Sequence, residues 1–226
     1  MVHFSWRVAR VAGTAAFALS TAFTVTERAD AQASNYPSMQ VPTASTRDYT
    51  AAVASGSGTT ALFQWREGWA PRKHWQLDAG LIDRKGSDNL SLFVGGGIGL
   101  EIARAKGDQP LDLLFTAGGG AAFGGGFTLV RIPVGVSIGH TFDLEQGMAI
   151  TPYVHPRASL DLASSGGRDG RSQSEVSLNF DLGVNFQVNS QFAVRAAAAF
   201  TGSELAGAQD TFAIGFNWTP APLARR

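Results

Sequence analysis

Four arginines, five acids and one histidine recur at matching positions of alternating segments: Arg66, Arg131, Arg157 and Arg195, with Asp78, Glu101, Asp112, Asp161 and Asp181, and His155. Each lies on the polar phase of a stretch whose other phase is apolar. Arg131 sits between Val130 and Ile132, Asp181 between Phe180 and Leu182, and Arg195 between Val194 and Ala196. Side chains alternate faces along a strand, so these groups share one face of a sheet. If that face is enclosed, the charges must be paired or hydrated. The near balance of signs points to an ion-pair network. The network either lines a narrow pore or plugs the space structurally.

Other chemistry fits less well. His155 and Ser159 share a face, with Asp161 beyond. Residues four apart on a strand are separated by about 13 Å, too far for a hydrogen-bonded hydrolytic pair. His74 and Asp83 have no recognisable catalytic spacing. His140 falls on the apolar phase near a strand end. The glycine runs at 95–97, 118–120 and 124–126 invite a phosphate-loop reading, but none is followed by Lys-Ser/Thr and no strand–helix context exists. Glycines there let a curved sheet bend and leave room for inward arginines. The SSGGRDGRS loop, 164–172, is flexible and solvated first, and a recognition loop second. No metal or cofactor is expected.

The elements that must position the charges are long strands. Residues 174–188, SEVSLNFDLGVNFQV, alternate strictly, with Val176, Leu178, Phe180, Leu182, Val184, Phe186 and Val188 on one face. Soluble strands average about 5–6 residues, whereas crossing a bilayer takes about 9–11. A two-faced strand of this length suits a barrel with lipid outside and a polar lumen. Similar stretches are read at 48–56, 59–67, 74–83, 90–104, 111–123, 127–142, 148–163, 192–201 and 210–218. The fold class is therefore all-β, an antiparallel transmembrane β-barrel of about ten strands. Eight is the alternative count, because the first strand is weak and Pro133, Pro152 and Pro156 interrupt others where each removes a ladder bond. Trp65, Trp75, Phe142, Phe186, Phe192, Phe212 and Trp218 fall near strand ends and are expected in interfacial aromatic girdles.

Composition agrees. Charged residues are 16% of the chain, against ~25% in soluble domains, and mean hydropathy is +0.01. A barrel stays near neutral hydropathy because half its strand residues face the lumen. Residues 1–33 read as a signal peptide: Arg7 and Arg10, an apolar stretch from 11 to 25, and Ala31-Gln32-Ala33 as the cleavage site. Removing three of the 18 basic and two of the 18 acidic residues leaves 15 against 16, a net charge of −1. Nothing there calls for nucleic acid. The chain has no cysteine, so disulfides play no part. Residues 34–46, with Pro37 and Pro42, read as a flexible lead-in. Residues 219–226 are a tail after the barrel at 47–218.

On these alternating stretches and the aromatic-ended strand 212–218, the chain resembles the small bacterial outer-membrane β-barrel proteins, the opacity-type and porin-like superfamily. The resemblance implies an outer-membrane location and, as partners, outer-membrane lipid, the barrel assembly machinery and small solutes. It also implies a structural or narrow porin-like role, and the spacings above give no expectation of catalysis. Two alternatives are a surface recognition or adhesion barrel and an enzyme that modifies lipid or peptide. A soluble lipocalin-like barrel, apolar inside and polar outside, is the rival architecture. Direction is not decided by alternation alone. Strand length, glycine on the polar face and only three lysines (Lys73, Lys85, Lys106) favour the membrane.

Overall fold

The computed structural model describes residues 36–84, 90–124, 126–165, 172–203, 205 and 209–221. The signal-peptide reading (1–33), most of the tail, most of the recognition-loop reading (164–172) and parts of the loops after residues 84 and 203 lie outside them.

Alternation becomes strand throughout: β1 Arg47–Ser55, β2 Gly58–Ala70, β3 Lys73–Arg84, β4 Leu90–Ala103, β5 Asp112–Gly124, β6 Phe127–Gly139, β7 Phe142–Asp143, β8 Ala149–Ser165, β9 Ser172–Gln187, β10 Phe192–Thr201 and β11 Thr211–Trp218. Each pairs antiparallel with its sequence neighbour, except that β6 passes over the two-residue β7 to pair with β8. β1 closes the ring on β11, Tyr49 opposite Trp218 and Ser55 opposite Phe212. Ten of the eleven strands thus form a closed barrel. The weak first strand is the one that closes it, and the eight-strand alternative falls.

The prolines do not shorten their strands. Pro152 and Pro156 lie exposed on the outer face of β8. The β6–β8 ladder runs to Gly135 opposite Arg157 and resumes at Ile138 opposite Val154. Pro156, which has no N–H to give, sits in that gap. Register shifts at Gly68/Ala70 and Glu101/Ala103 fall at the barrel end where β1 begins and β11 ends, and bulges are common at barrel rims.

Exposure settles the direction of the wall. Leu178 is 66% exposed and Leu182 51%, whereas the intervening Asn179 and Asp181 are 5% and 0%. The same reversal runs round the barrel, with Phe63, Leu77, Leu92, Val94, Ile132, Ile214 and Phe216 outside. Soluble proteins rarely present such a continuous apolar exterior. In lipid a closed sheet satisfies every backbone group between strands. This is a transmembrane barrel, and the lipocalin-like alternative is excluded.

The aromatics form a belt at the rim where β1 begins and β11 ends. Tyr49 stacks between Trp65 and Trp218, at centroid distances of 6.1 and 5.5 Å, and Trp75 meets Trp65 edge-on at 4.7 Å. Phe192 packs on Phe216 at 5.4 Å, and Phe142 and Phe186 both flank Ile150. Phe212 lies at the opposite rim, across from Ser55 at the end of β1.

Candidate functional site: the occupied lumen

Residues 36–46 are not a flexible lead-in. Residues 36–45 lie inside the barrel, with Pro37, Met39, Gln40, Val41 and Pro42 buried, and Thr46 is exposed where the chain turns into β1. The physical reason is mutual need. The segment has irregular backbone with donors and acceptors that no ladder serves, and the lumen has buried polar side chains that need partners. Ser38 carries most of the exchange. Its N–H donates to Asp181 Oδ2 at 3.1 Å, and its hydroxyl meets His155 Nδ1 at 2.6 Å. Its carbonyl accepts from Gln64 Nε2 and Arg66 Nη2, both at 3.2 Å. The Met39 carbonyl takes a second bond from Arg66 at 3.3 Å, and Ser137 Oγ donates to the Gln40 carbonyl at 2.6 Å.

Nearer the mouth, Ala44 N–H donates to Glu101 and Ser45 N–H donates to His74 Nδ1 at 3.1 Å. The Ser45 hydroxyl donates to Asp48, and Thr46 O accepts from Gly68 N–H at 2.8 Å as the chain turns into β1. Met39 turns the segment through a left-handed backbone, φ 50°, which an apolar residue adopts only where its surroundings hold it.

All ten charged or ionisable lumen residues expected from the sequence point inward, but they form separate clusters. Near the mouth Asp48 lies between Arg66 (3.3 Å) and Arg195 (3.8 Å). Arg66 also bonds Gln64 and Gln76, and Arg195 bonds Asn185 and Thr50. Glu101 is held by Arg72 and Arg104 at 3.0 and 2.8 Å. Asp112 caps the Ala105 N–H at 2.8 Å. At mid-height Asp181 pairs with Arg157 at 2.7 Å, and His155 Nε2 meets Thr116 Oγ1 at 2.9 Å. Toward the far end Arg131 grips Asp161 with Nε and Nη2, both at 2.8 Å, beside Ser177, Ser159 and Asn179.

The expected ion-pair network is thus divided into groups, and the inserted Ser38 links those of Arg66, His155 and Asp181. Part of the interior is apolar: Ala52, Ala54, Leu62, Ile82, Phe93, Ala122 and Ala213 surround Met39, and Tyr36 stacks on Phe93 at 4.8 Å. Inward glycines admit large neighbours. A Cβ on Gly99 would lie 2.4 Å from the His74 ring, and one on Gly135 would meet both Arg157 and His155. The glycine runs at 95–97 and 118–120 pair with each other across β4 and β5. Beside that bare wall lies a cavity of about 110 Å³, lined also by Tyr36, Ser38, Gln40, Asp78, Thr116, Arg131, His155 and Arg157.

Sequence reading missed Asp48, His74, Arg72, Arg104 and the plug residue Ser38. Asp48 alternates with Thr50 against Tyr49, and His74 is in phase with Gln76 and Asp78, so both carried the inward signal. Ser38 carried none, because an irregular segment has no period. The hydrolytic arrangements are also resolved. Ser159 bonds Ser177 rather than His155. His74 is buried while Asp83 is exposed at the other end of β3. His140 stays on the outer phase at the rim where β1 begins, its ring 4.7 Å from that of Phe142.

No protein-family model matches the sequence, and no curated protein is similar enough to match. Several solved structures are similar at low identity. The KdgM porin shares 5% identity at a TM-score of 0.40, covering 77% of this chain and 99% of that one. The N-terminal β-barrel domain of Pseudomonas aeruginosa OprF shares 10% at 0.40, covering 78% and 98%. The NanC porin shares 13% at 0.39, covering 77% and 100%. At such values the assignment rests on the barrel's own closure and apolar exterior.

Proposed function

We propose that this chain is exported on a signal peptide cleaved after Ala33 and assembled into a bacterial outer membrane. There it forms a narrow, porin-like conduit for small solutes, restricted by its own N-terminal segment. The observation that carries the reading is the seating of residues 36–46 on lumen side chains, beside a remaining cavity. A ten-stranded barrel is near the size that side chains alone can fill. This one reserves part of its interior for a segment that is not wall, and inward glycines on β4 and β5 keep space beside it. A barrel needed only as a membrane rivet would gain more from wall side chains packed to closure. Its partners would be outer-membrane lipid along the apolar exterior and the assembly machinery, to which the final strand presents Trp218.

The test is single-channel recording of refolded mature protein in a planar bilayer, comparing the parent with Arg131→Ala. Steady small openings, with altered conductance or ion preference in the variant, are expected. Silence from protein shown to be inserted, in both forms, would leave a structural plug and no passage.

A further inference from the structure

We infer that the cavity beside the glycine wall is a binding site for a small zwitterion, with its ammonium on Asp78 and its carboxylate on Arg157. The inference rests on the lumen being reachable by solute, as proposed above. Three residues that line the cavity each carry a buried polar atom with no hydrogen-bond partner among the described residues: Asp78 Oδ1, Arg157 Nε and Gln40 Oε1. Such orphans are rare, because each gives up its hydration for nothing in return. Three around one cavity point to something that belongs in it.

The chemistry of the three is specific. Asp78 is 8% exposed and, among the described residues, no basic side chain lies within 4 Å of it. Gln76 Nε2 at 2.8 Å and the Tyr36 hydroxyl at 3.5 Å both donate to Oδ2, and Gln64 and the more distant Arg66 charge also act on the carboxylate. The other lumen acids on the same barrel wall meet a cation or cap a backbone N–H: Asp48, Glu101, Asp161 and Asp181 each pair with arginine, and Asp112 holds Ala105. Asp78 lacks both. A buried carboxylate in that position calls for a cation, and Gln40 Oε1 is a second acceptor for an ammonium.

Arg157 supplies the opposite pole. Its Nη2 is committed to Asp181 at 2.7 Å, while its Nε–H remains to donate, and guanidinium–carboxylate contacts are among the stronger hydrogen bonds. β4, β5 and β6 separate β3 from β8 along the wall, so the two poles approach the cavity from different sides. Thr116, whose Oγ1 meets His155 Nε2, lines the cavity from β5, which stands between β3 and β8 in the wall. The bare backbone at Gly95, Gly97, Gly118 and Gly120 leaves the space open.

Size narrows the class. An apolar cavity of ~150 Å³ holds benzene, so about 110 Å³ suits a ligand of about five non-hydrogen atoms. Glycine, the smallest α-amino acid, has that size and both charges.

The test is isothermal titration of glycine into refolded mature protein in detergent, with ethylamine and glycolate as one-pole controls. Expected is saturable one-site binding, at least tenfold weaker for each control. Asp78→Asn and Arg157→Lys should each weaken glycine at least tenfold, the lysine still serving Asp181. Gln40→Leu alters only the inserted segment and carries the test if a wall variant fails to fold; it too should bind glycine more weakly. Absence of saturable heat from folded parent protein, controls that bind as well as glycine, or affinity indifferent to these substitutions would overturn the site and leave a hydrated cavity. The passage reading is separable: a barrel silent in bilayers that still binds glycine keeps the site and loses the conduit. One that conducts but ignores glycine does the reverse.

Discussion

Replacing Asp48 with Asn keeps the shape of the side chain and removes a carboxylate that Arg66 and Arg195 share. Both arginines are buried, with side chains 0% and 5% exposed, and Asp48 is 4% exposed. Removing one partner of a buried ion pair strands the other charge and typically costs about 3–5 kcal/mol. Here the stranded guanidiniums keep neutral acceptors: Gln64, Gln76 and the Ser38 and Met39 carbonyls for Arg66, and Asn185 and Thr50 for Arg195. The loss should therefore fall at the lower end, about 3 kcal/mol. The assay is equilibrium urea unfolding of protein folded into lipid vesicles, followed by tryptophan fluorescence. Glu67→Gln is the internal control, because the Arg47–Glu67 pair is short (2.7 Å) yet 38% and 21% exposed; it should lose no more than about 1 kcal/mol. Asp48→Asn combined with Arg66→Met should recover part of the deficit. If Asp48→Asn loses as little as Glu67→Gln, the lumen cluster behaves as a hydrated surface pair, and the reasoning about enclosed charge is wrong.

Leu182→Arg places a charge on the lipid face of β9, where Leu182 is 51% exposed, and should cost about 2–4 kcal/mol in the same vesicle assay if it lies near mid-bilayer; a neutral result would contradict the direction of the wall. Gly99→Ala puts a Cβ 2.4 Å from the His74 ring, so the ring must move off its bond with Ser45 N–H. The expected loss is about 1–3 kcal/mol, with faster proteolysis of the N-terminal segment, and an unchanged protease pattern would refute that latch.

Wall and lumen differ in how far the sequence exposes them. A period of two is a property of consecutive residues, so most wall strands could be found from their own alternation, and inward residues such as Arg66, Asp78 and Asp181 came with it. Asp48 and His74 obeyed the same alternation but sat at strand starts, where few neighbours mark the phase. What fills the barrel is another matter. Residues 36–46 have no repeat, contain two prolines and are polar, which is also the composition of a solvated linker. Their place depends on Asp181, His155, Gln64 and Arg66, which are remote in sequence and meet only when the ring closes. The split of the lumen into polar clusters and the apolar group round Phe93 is likewise a matter of which inward residues share a level. Strand register and shear decide that, and alternation does not record them. The closure of β1 on β11 rescued the weakest segment for a related reason: a barrel needs its last edge paired, whatever the local pattern.

The most direct measurement is the single-channel current of refolded mature protein with and without residues 36–42. Both forms are first shown to be folded by the heat-dependent shift of the barrel in gels. The account predicts small or brief openings from the complete chain and steady, larger conductance once the segment is removed. Equal currents from the two forms would mean that the N-terminal segment does not control the lumen, and would contradict the account.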